Sequence, residues 1–273
     1  VTGFMPDDVP TAQACVAVVR ELAPSHRFMA GVLVSAATLR AAPTASRRYP
    51  SIRDVDGILA QCGEAGAWPV VHYNTVAKGD DFAAELRVLH NLCPAMRGLQ
   101  LNIVCPDRDV VREFAYAHPS IEVILQINEA SLKAMRPDSD YSGQPYEYVE
   151  NYPGIRHALL DASAGTGKAF DAERTAERII ECYDTWDRYL TRGGVAGGLG
   201  PDCGPLLDDL RDALIGWEGD PDIELRELSF DMESNVRVPV VDPTPGAKHQ
   251  DRLDRDKAVA GVRAVCMAIR GGT

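Results

Sequence analysis

No run of apolar residues in this chain approaches the length of a membrane span, so no helical crossing is expected. The chain also lacks the pattern of a secretory leader. Positive charge is scarce: 28 Lys and Arg stand against 40 Asp and Glu, a formal net charge of −12. That average repels polyanions, so neither nucleic acid nor an anionic membrane is expected as a partner. The seven cysteines are odd in number, scattered, and never spaced C-x-x-C. Four of them, Cys15, Cys62, Cys182 and Cys266, fall on apolar helical stripes, where a thiol acts as a small hydrophobe. Reduced core thiols in a cytoplasmic protein are the expectation. There is no internal repeat, low-complexity tract or domain linker.

What the chain does contain is a regular alternation. Short apolar runs are separated by amphipathic segments, the pattern of parallel strands joined by crossover helices. The runs are Val1–Phe4, Met29–Ser35, Pro69–Tyr73, Gly98–Val104, Ile121–Ile127, His157–Asp161, Gly193–Ala196 and Leu225–Asp231. Eight such runs in 273 residues predict a single α/β domain over 1–273, a (β/α)8 TIM barrel. Val32-Leu33-Val34 and Val123-Ile124-Leu125 read as strands buried on both faces. Thr11 is expected to cap the first helix. Two insertions break the rhythm, near 38–51 and 137–153. The first follows a strand, so it falls on the catalytic face and suits a lid; the second, rich in tyrosine, precedes a strand and suits packing or an oligomer contact. A monomer and a homodimer both remain open.

In such an architecture the strand ends converge on one pocket. In order they offer Thr2, Ser35, His72 with Asn74, Gln100 with Asn102, Gln126 with Asn128, Asp161, Gly197 with Gly198, and Asp231 with Glu233 and Ser234. This set is rich in hydrogen-bonding groups, although strand ends in any barrel meet water. Asp161 ends an apolar run and precedes the glycine loop Gly165-Thr166-Gly167-Lys168. Ala196-Gly197-Gly198-Leu199-Gly200 and Asp231–Val236 lie after the last two strands, where barrels often bind phosphate through bare amides. Ordinary turns are the alternative. His72 suits a base near neutral pH, or it bonds a neighbouring strand end. No His, Asp or Glu cluster has convincing metal spacing, so no metal or other cofactor is expected. A strand-end combination of His72 with Asp161 or Asp231 stays open. A full Walker loop, a dinucleotide fingerprint and a Gly-x-Ser-x-Gly elbow are all missing.

Several of these stretches together resemble phosphoribosylanthranilate isomerase, a (β/α)8 enzyme of the ribulose-phosphate-binding barrels. Leu159-Leu160-Asp161 with Gly165-Thr166-Gly167-Lys168 and Phe170-Asp171 is similar to that family's strand-six signature. Ala196-Gly197-Gly198-Leu199 with Pro201 is similar to its strand-seven phosphate loop. Asp231–Arg237 and Pro245-Gly246-Ala247-Lys248 resemble its strand-eight turn and the start of its final helix, with an insertion between. Ser46-Arg47-Arg48-Tyr49-Pro50-Ser51 resembles the loop carrying an anthranilate-binding arginine, which would be Arg48. Leu99-Gln100-Leu101-Asn102 resembles a strand-four motif that usually ends in histidine.

The resemblance implies acid/base isomerisation of an aminoaldose to an aminoketose on a phosphorylated substrate. Asp161 would be the general acid. The phosphate would sit among Gly165, Gly197, Gly198, Asp231, Ser234 and Asn235, with Gln100 and Asn102 also touching substrate. The family's base is a strand-one cysteine, and Thr2 stands there. A threonine hydroxyl is no base near neutral pH, whereas a thiol with pKa near 8.5 is. Asn102 replaces the histidine and Asn235 a glycine. The expectation is therefore a divergent isomerase-like enzyme, with His72 as the leading substitute base and Asp231 and Glu233 as the other candidates. Two alternatives stand beside it: a lyase, condensing or ring-forming enzyme reusing the phosphate site, and a non-catalytic sugar-phosphate-binding barrel.

Overall fold

A computed structural model describes residues 1–42, 46–135, 149–152, 154–161, 170–188, 191–215, 223–240 and 251–271. Gly165 and its loop, Pro245–Lys248, and Tyr141, Tyr146 and Tyr148 lie outside the described residues. The chain runs α1 (Val9–Leu22), β1 (Met29–Ser35), α2 (Ala36–Leu39), α3 (Ile52–Glu64), β2 (Trp68–Asn74), α4 (Gly79–Leu92) and β3 (Gly98–Leu101). It continues through α5 (Arg108–Ala117), β4 (Glu122–Ile127), α6 (Glu129–Met135), β5 (His157–Asp161), α7 (Ala172–Arg188), β6 (Arg192–Ala196) and α8 (Gly204–Ile215). The last elements are β7 (Ser229–Asp231), a ribbon of β8 (Arg237–Pro239) and β9 (Asp251–Leu253), and α9 (Arg255–Arg270).

Strands β1 to β7 form one parallel sheet in sequential order, curled into a half-barrel with helices outside it. This corrects the expectation of a closed eight-strand barrel. The run Val1–Phe4 makes only an isolated bridge, Thr2 to Gly31. The reason is local. Gly3 turns to φ +96°, out of the extended region, and Gly3 and Phe4 both donate to the same carbonyl, Gly31 O, at 2.7 and 3.0 Å. On the other side Thr2 N donates to Met232 O at 3.0 Å. Residues 1–4 thus hold the β1 edge through four main-chain bonds gathered around one bridge, and the β7 side through one. Leu225–Glu227, expected as strand, is a 3-10 turn, which leaves β7 three residues long.

The helices form where the apolar stripes predict them. Buried Val55, Ile58, Leu59 and Cys62 line α3, and Phe82, Leu86 and Leu89 line α4. Burial pushes the Cys62 thiol up to about 12, as suits a core hydrophobe. Ser51 caps α3 and Asp107 caps α5, each accepting from backbone N–H groups of the first turn. Thr11 is not a cap: α1 starts at Val9, and Thr11 is buried within it. Tyr152, from the tyrosine-rich insertion, is buried and donates to Pro106 O at 2.6 Å. Among the described residues no helix is long and apolar enough to cross a membrane.

Strand alternation divides the core in two. Outward residues such as Val71, Tyr73, Leu99, Leu101, Val123 and Leu125 pack under the helices. Inward, Val70, Ile124, Leu159 and Ala196 form a second apolar cluster with Met29 and Trp68 at its edge. Two residues further along β2, β3, β4 and β5 the inward positions turn polar: His72, Gln100, Gln126 and Asp161.

Candidate functional site

Register staggers these polar positions along the inner face. His72 lies opposite Gln100, Gln126 opposite Leu159, Asp161 opposite Ala196, and Ala196 opposite Asp231. All are buried, with Asp161 only 6% and Asp231 8% exposed. They are joined by hydrogen bonds. Thr2 Oγ1 donates to Asp231 Oδ1 at 3.0 Å. Gln100 Nε2 makes two long contacts, 3.4 Å to Asp231 Oδ2 and 3.5 Å to Gln126 Oε1. Gln126 Nε2 donates to Asp161 Oδ2 at 2.7 Å. Two buried carboxylates are thereby linked through two carboxamides across the inner face of the sheet.

Thr2 reaches this layer because Gly31 has no side chain. A Cβ there would come within 2.8 Å of Thr2 Oγ1. His72 is 3% exposed, and neither ring nitrogen has a partner among the described residues. It therefore does not bond a neighbouring strand end. A buried imidazole with two open polar atoms is costly unless something else meets them.

Above this layer stand the loops after β6 and β7. Gly197 and Gly198 have φ +91° and +72°, where a side chain would be strained. Asn235 Nδ2 donates to Gly198 O at 2.8 Å, and a Cβ on Gly200 would come within 2.7 Å of Asn235 Cβ. The two loops are therefore held against each other. Ser234 and Asn235 are exposed and begin a 3-10 turn. Asn102 is half-buried just past β3, its backbone N–H on Tyr73 O. Asn128, one of the strand-end candidates, instead accepts from Ser131 and caps α6.

Arg48 sits in a salt-bridge cluster that sequence reasoning missed. Its Nε and Nη2 donate to Asp251 at 2.9 and 2.5 Å, and its Nη1 donates to Glu233 at 2.6 Å. Arg237 Nη1 reaches the same Asp251 at 3.1 Å, and its Nη2 donates to Gly3 O at 2.6 Å. Burial works against the Arg48 charge, but Asp251 and Glu233 outweigh it and hold its pKa above the ordinary value. Burial would likewise raise Asp251, yet Arg48 and then Arg237 hold it below the usual carboxylate range. Burial, then the nearby Arg48, lowers Arg237. Every guanidinium nitrogen of Arg48 thus already serves a protein carboxylate. Tyr49 joins the cluster's edge, where burial and then the nearby Glu233 raise its pKa. Nothing in the sequence marks Asp251 as a partner of Arg48, 203 residues away.

Among the described residues no group of three His, Cys, Asp or Glu side chains is placed to hold a metal ion. No protein-family model matches this chain, and no curated protein matches it in sequence.

Proposed function

We propose that this chain is an acid/base enzyme acting on a phosphorylated sugar or sugar-amine adduct, similar in plan to phosphoribosylanthranilate isomerase but with a rebuilt base. The observation that carries this reading is the buried polar layer: two carboxylates joined through Gln100 and Gln126, beside an imidazole with both nitrogens open. Aldose–ketose rearrangement needs an acid at the ring oxygen and a base at C2. Asp161, oriented by Gln126, is the acid. His72 takes the C2 proton and returns it to C1. Thr2 is no base; its hydroxyl donates to Asp231 and orients that carboxylate. The loops at Gly197-Gly198 and Ser234-Asn235 receive the phosphate on backbone amides. Residues 1–4 fill the eighth position of a TIM-like barrel in this scheme. Arg48 fastens the β8–β9 ribbon beside the site and meets an acidic substrate group only by exchanging one of its present partners.

The test is solvent-deuterium exchange at C2 of phosphorylated aldoses and their arylamine adducts, followed by NMR. His72→Gln and Asp161→Asn should each lower turnover by about 100-fold or more. Parent-like rates in either variant refute the assignment. The Thr2–Asp231 bond favours one second reading, a lyase or condensing enzyme with Asp231 as base; Asp231→Asn would then abolish turnover while His72→Gln does not.

A further inference from the structure

The inner face of the sheet also opens at its opposite end. A cavity of about 380 Å³ runs from the amino-terminal mouth of the strands up to Gln100 and Asp231. That volume falls within the range of small-molecule sites. Beside the short β7 the space continues past the seam to the inner sides of α1 and α9. Its body is apolar, lined by Met29, Ile124, Leu159, Val265 and Ile269.

Its two ends carry different polar groups. At the mouth stand Arg27, Arg192 and Arg226, with Glu227 among them. Arg27 is paired bidentately with Glu122 at 2.7 and 2.9 Å and lies 4.2 Å over the Trp68 ring. Arg226 is paired with Glu224 at 2.6 Å. Arg192 is exposed, and its side chain makes no ion pair or hydrogen bond among the described residues. At the inner end Asp231 accepts from the Thr2 hydroxyl and lies 3.7 Å from the Val1 ammonium, so its charge is already met, and Gln100 Oε1 is buried with no partner, an acceptor waiting for a donor.

We infer that this cavity is a binding site for an elongated amphipathic anion: a carboxylate at Arg192, an apolar chain along the cavity, and a hydroxyl or amide N–H at the far tip meeting Gln100 Oε1. The ligand enters from the end of the strands opposite the phosphate loops. The inference shares Gln100 with the acid/base reading but does not rest on it, since it uses only the cavity, its polar ends and the open carbonyl.

Calorimetry on the full chain tests it with 8-hydroxyoctanoate, octanoate and 8-aminooctan-1-ol as probes. The hydroxy acid should bind at one saturable site. Octanoate, lacking the terminal donor, should bind about threefold to tenfold more weakly. The amine should not bind. Arg192→Glu should weaken the hydroxy acid by about fivefold. Ser229→Trp, which puts a ring into the mouth opposite Gly194, should abolish binding without moving the unfolding midpoint. Absence of saturable binding to the folded parent, or an amine binding as tightly as the acid, overturns the inference. If Ser229→Trp does not fold, the exposed Arg192→Glu variant decides alone: unchanged affinity overturns it.

Discussion

Asp251→Asn is the sharpest test of how the upper face is held. The Asp251 carboxylate takes three N–H groups, two from Arg48 and one from Arg237. The Arg237 side chain is 2% exposed and Arg48 10%, whereas Asp251 is 20% exposed. Removing one member of a buried pair typically costs about 3–5 kcal/mol, because the remaining charge is stranded. Glu233 still faces Arg48, and water still reaches Asp251, so the lower end applies: about 3 kcal/mol. In a chain of this length that corresponds to a fall in melting temperature of about 6 °C. Urea unfolding followed by tryptophan fluorescence measures it at several pH values. The sign follows from linkage. The folded pKa of Asp251 is depressed, so its stabilisation is fully present above the unfolded value and lost as pH falls through the folded one. The gap between parent and variant should stay constant from neutrality down to about pH 5 and shrink only below about pH 4. A variant within about 0.5 kcal/mol of the parent at neutral pH would refute the view that Asp251 neutralises a buried arginine pair, since that is the scatter of ordinary surface substitutions.

Two further predictions concern the opposite end and the outer layer. Glu122 is held well below the usual glutamate range by hydrogen bonds from His157 and Arg27, so its contribution is present above the ordinary glutamate pKa and lost in acid. Glu122→Gln should therefore flatten the acid limb of stability below about pH 4.3, and an unchanged limb would show that the pairing is idle. A Cβ on Gly193 would come within 1.9 Å of the Trp186 ring, so Gly193→Ala should cost about 1–3 kcal/mol or more in urea unfolding; a neutral result would mean that α7 shifts freely on the sheet.

The strands β1, β2, β4 and β5 were legible because parallel strands covered on both faces read as apolar runs. Among the strands, sequence and structure part most at the sheet edges. Val1–Phe4 is apolar enough for a strand, but Gly3 at positive φ ends the pairing after one residue. Leu225–Glu227 is apolar at one position and charged at two, and folds as a 3-10 turn. Much of the inner polar layer was legible too, since chain order plus a period of two puts His72, Gln100, Gln126 and Asp161 on one face. Asn128 misled because a short polar side chain after a strand can equally cap the next helix. The bonds of Arg48 were invisible: charge pairs between segments 203 residues apart leave no periodic trace. The cavity at the strand starts was also hidden, because it lies beside a short β7 and is lined from distant segments rather than by any motif.

The contact of Thr2 with Asp231 spans 229 residues of chain. Contacts between such distant segments carry a large loop-closure entropy and come late in folding. While the polypeptide is being synthesised, residues 1–4 can settle on the border of β1, but their far side has no neighbour until Asp231 and Met232 have left the ribosome. Through that interval this thinly held edge offers unsatisfied peptide groups to any other nascent chain. Expression yield should therefore respond to chaperone supply and to growth temperature more than the equilibrium stability of the finished protein would suggest.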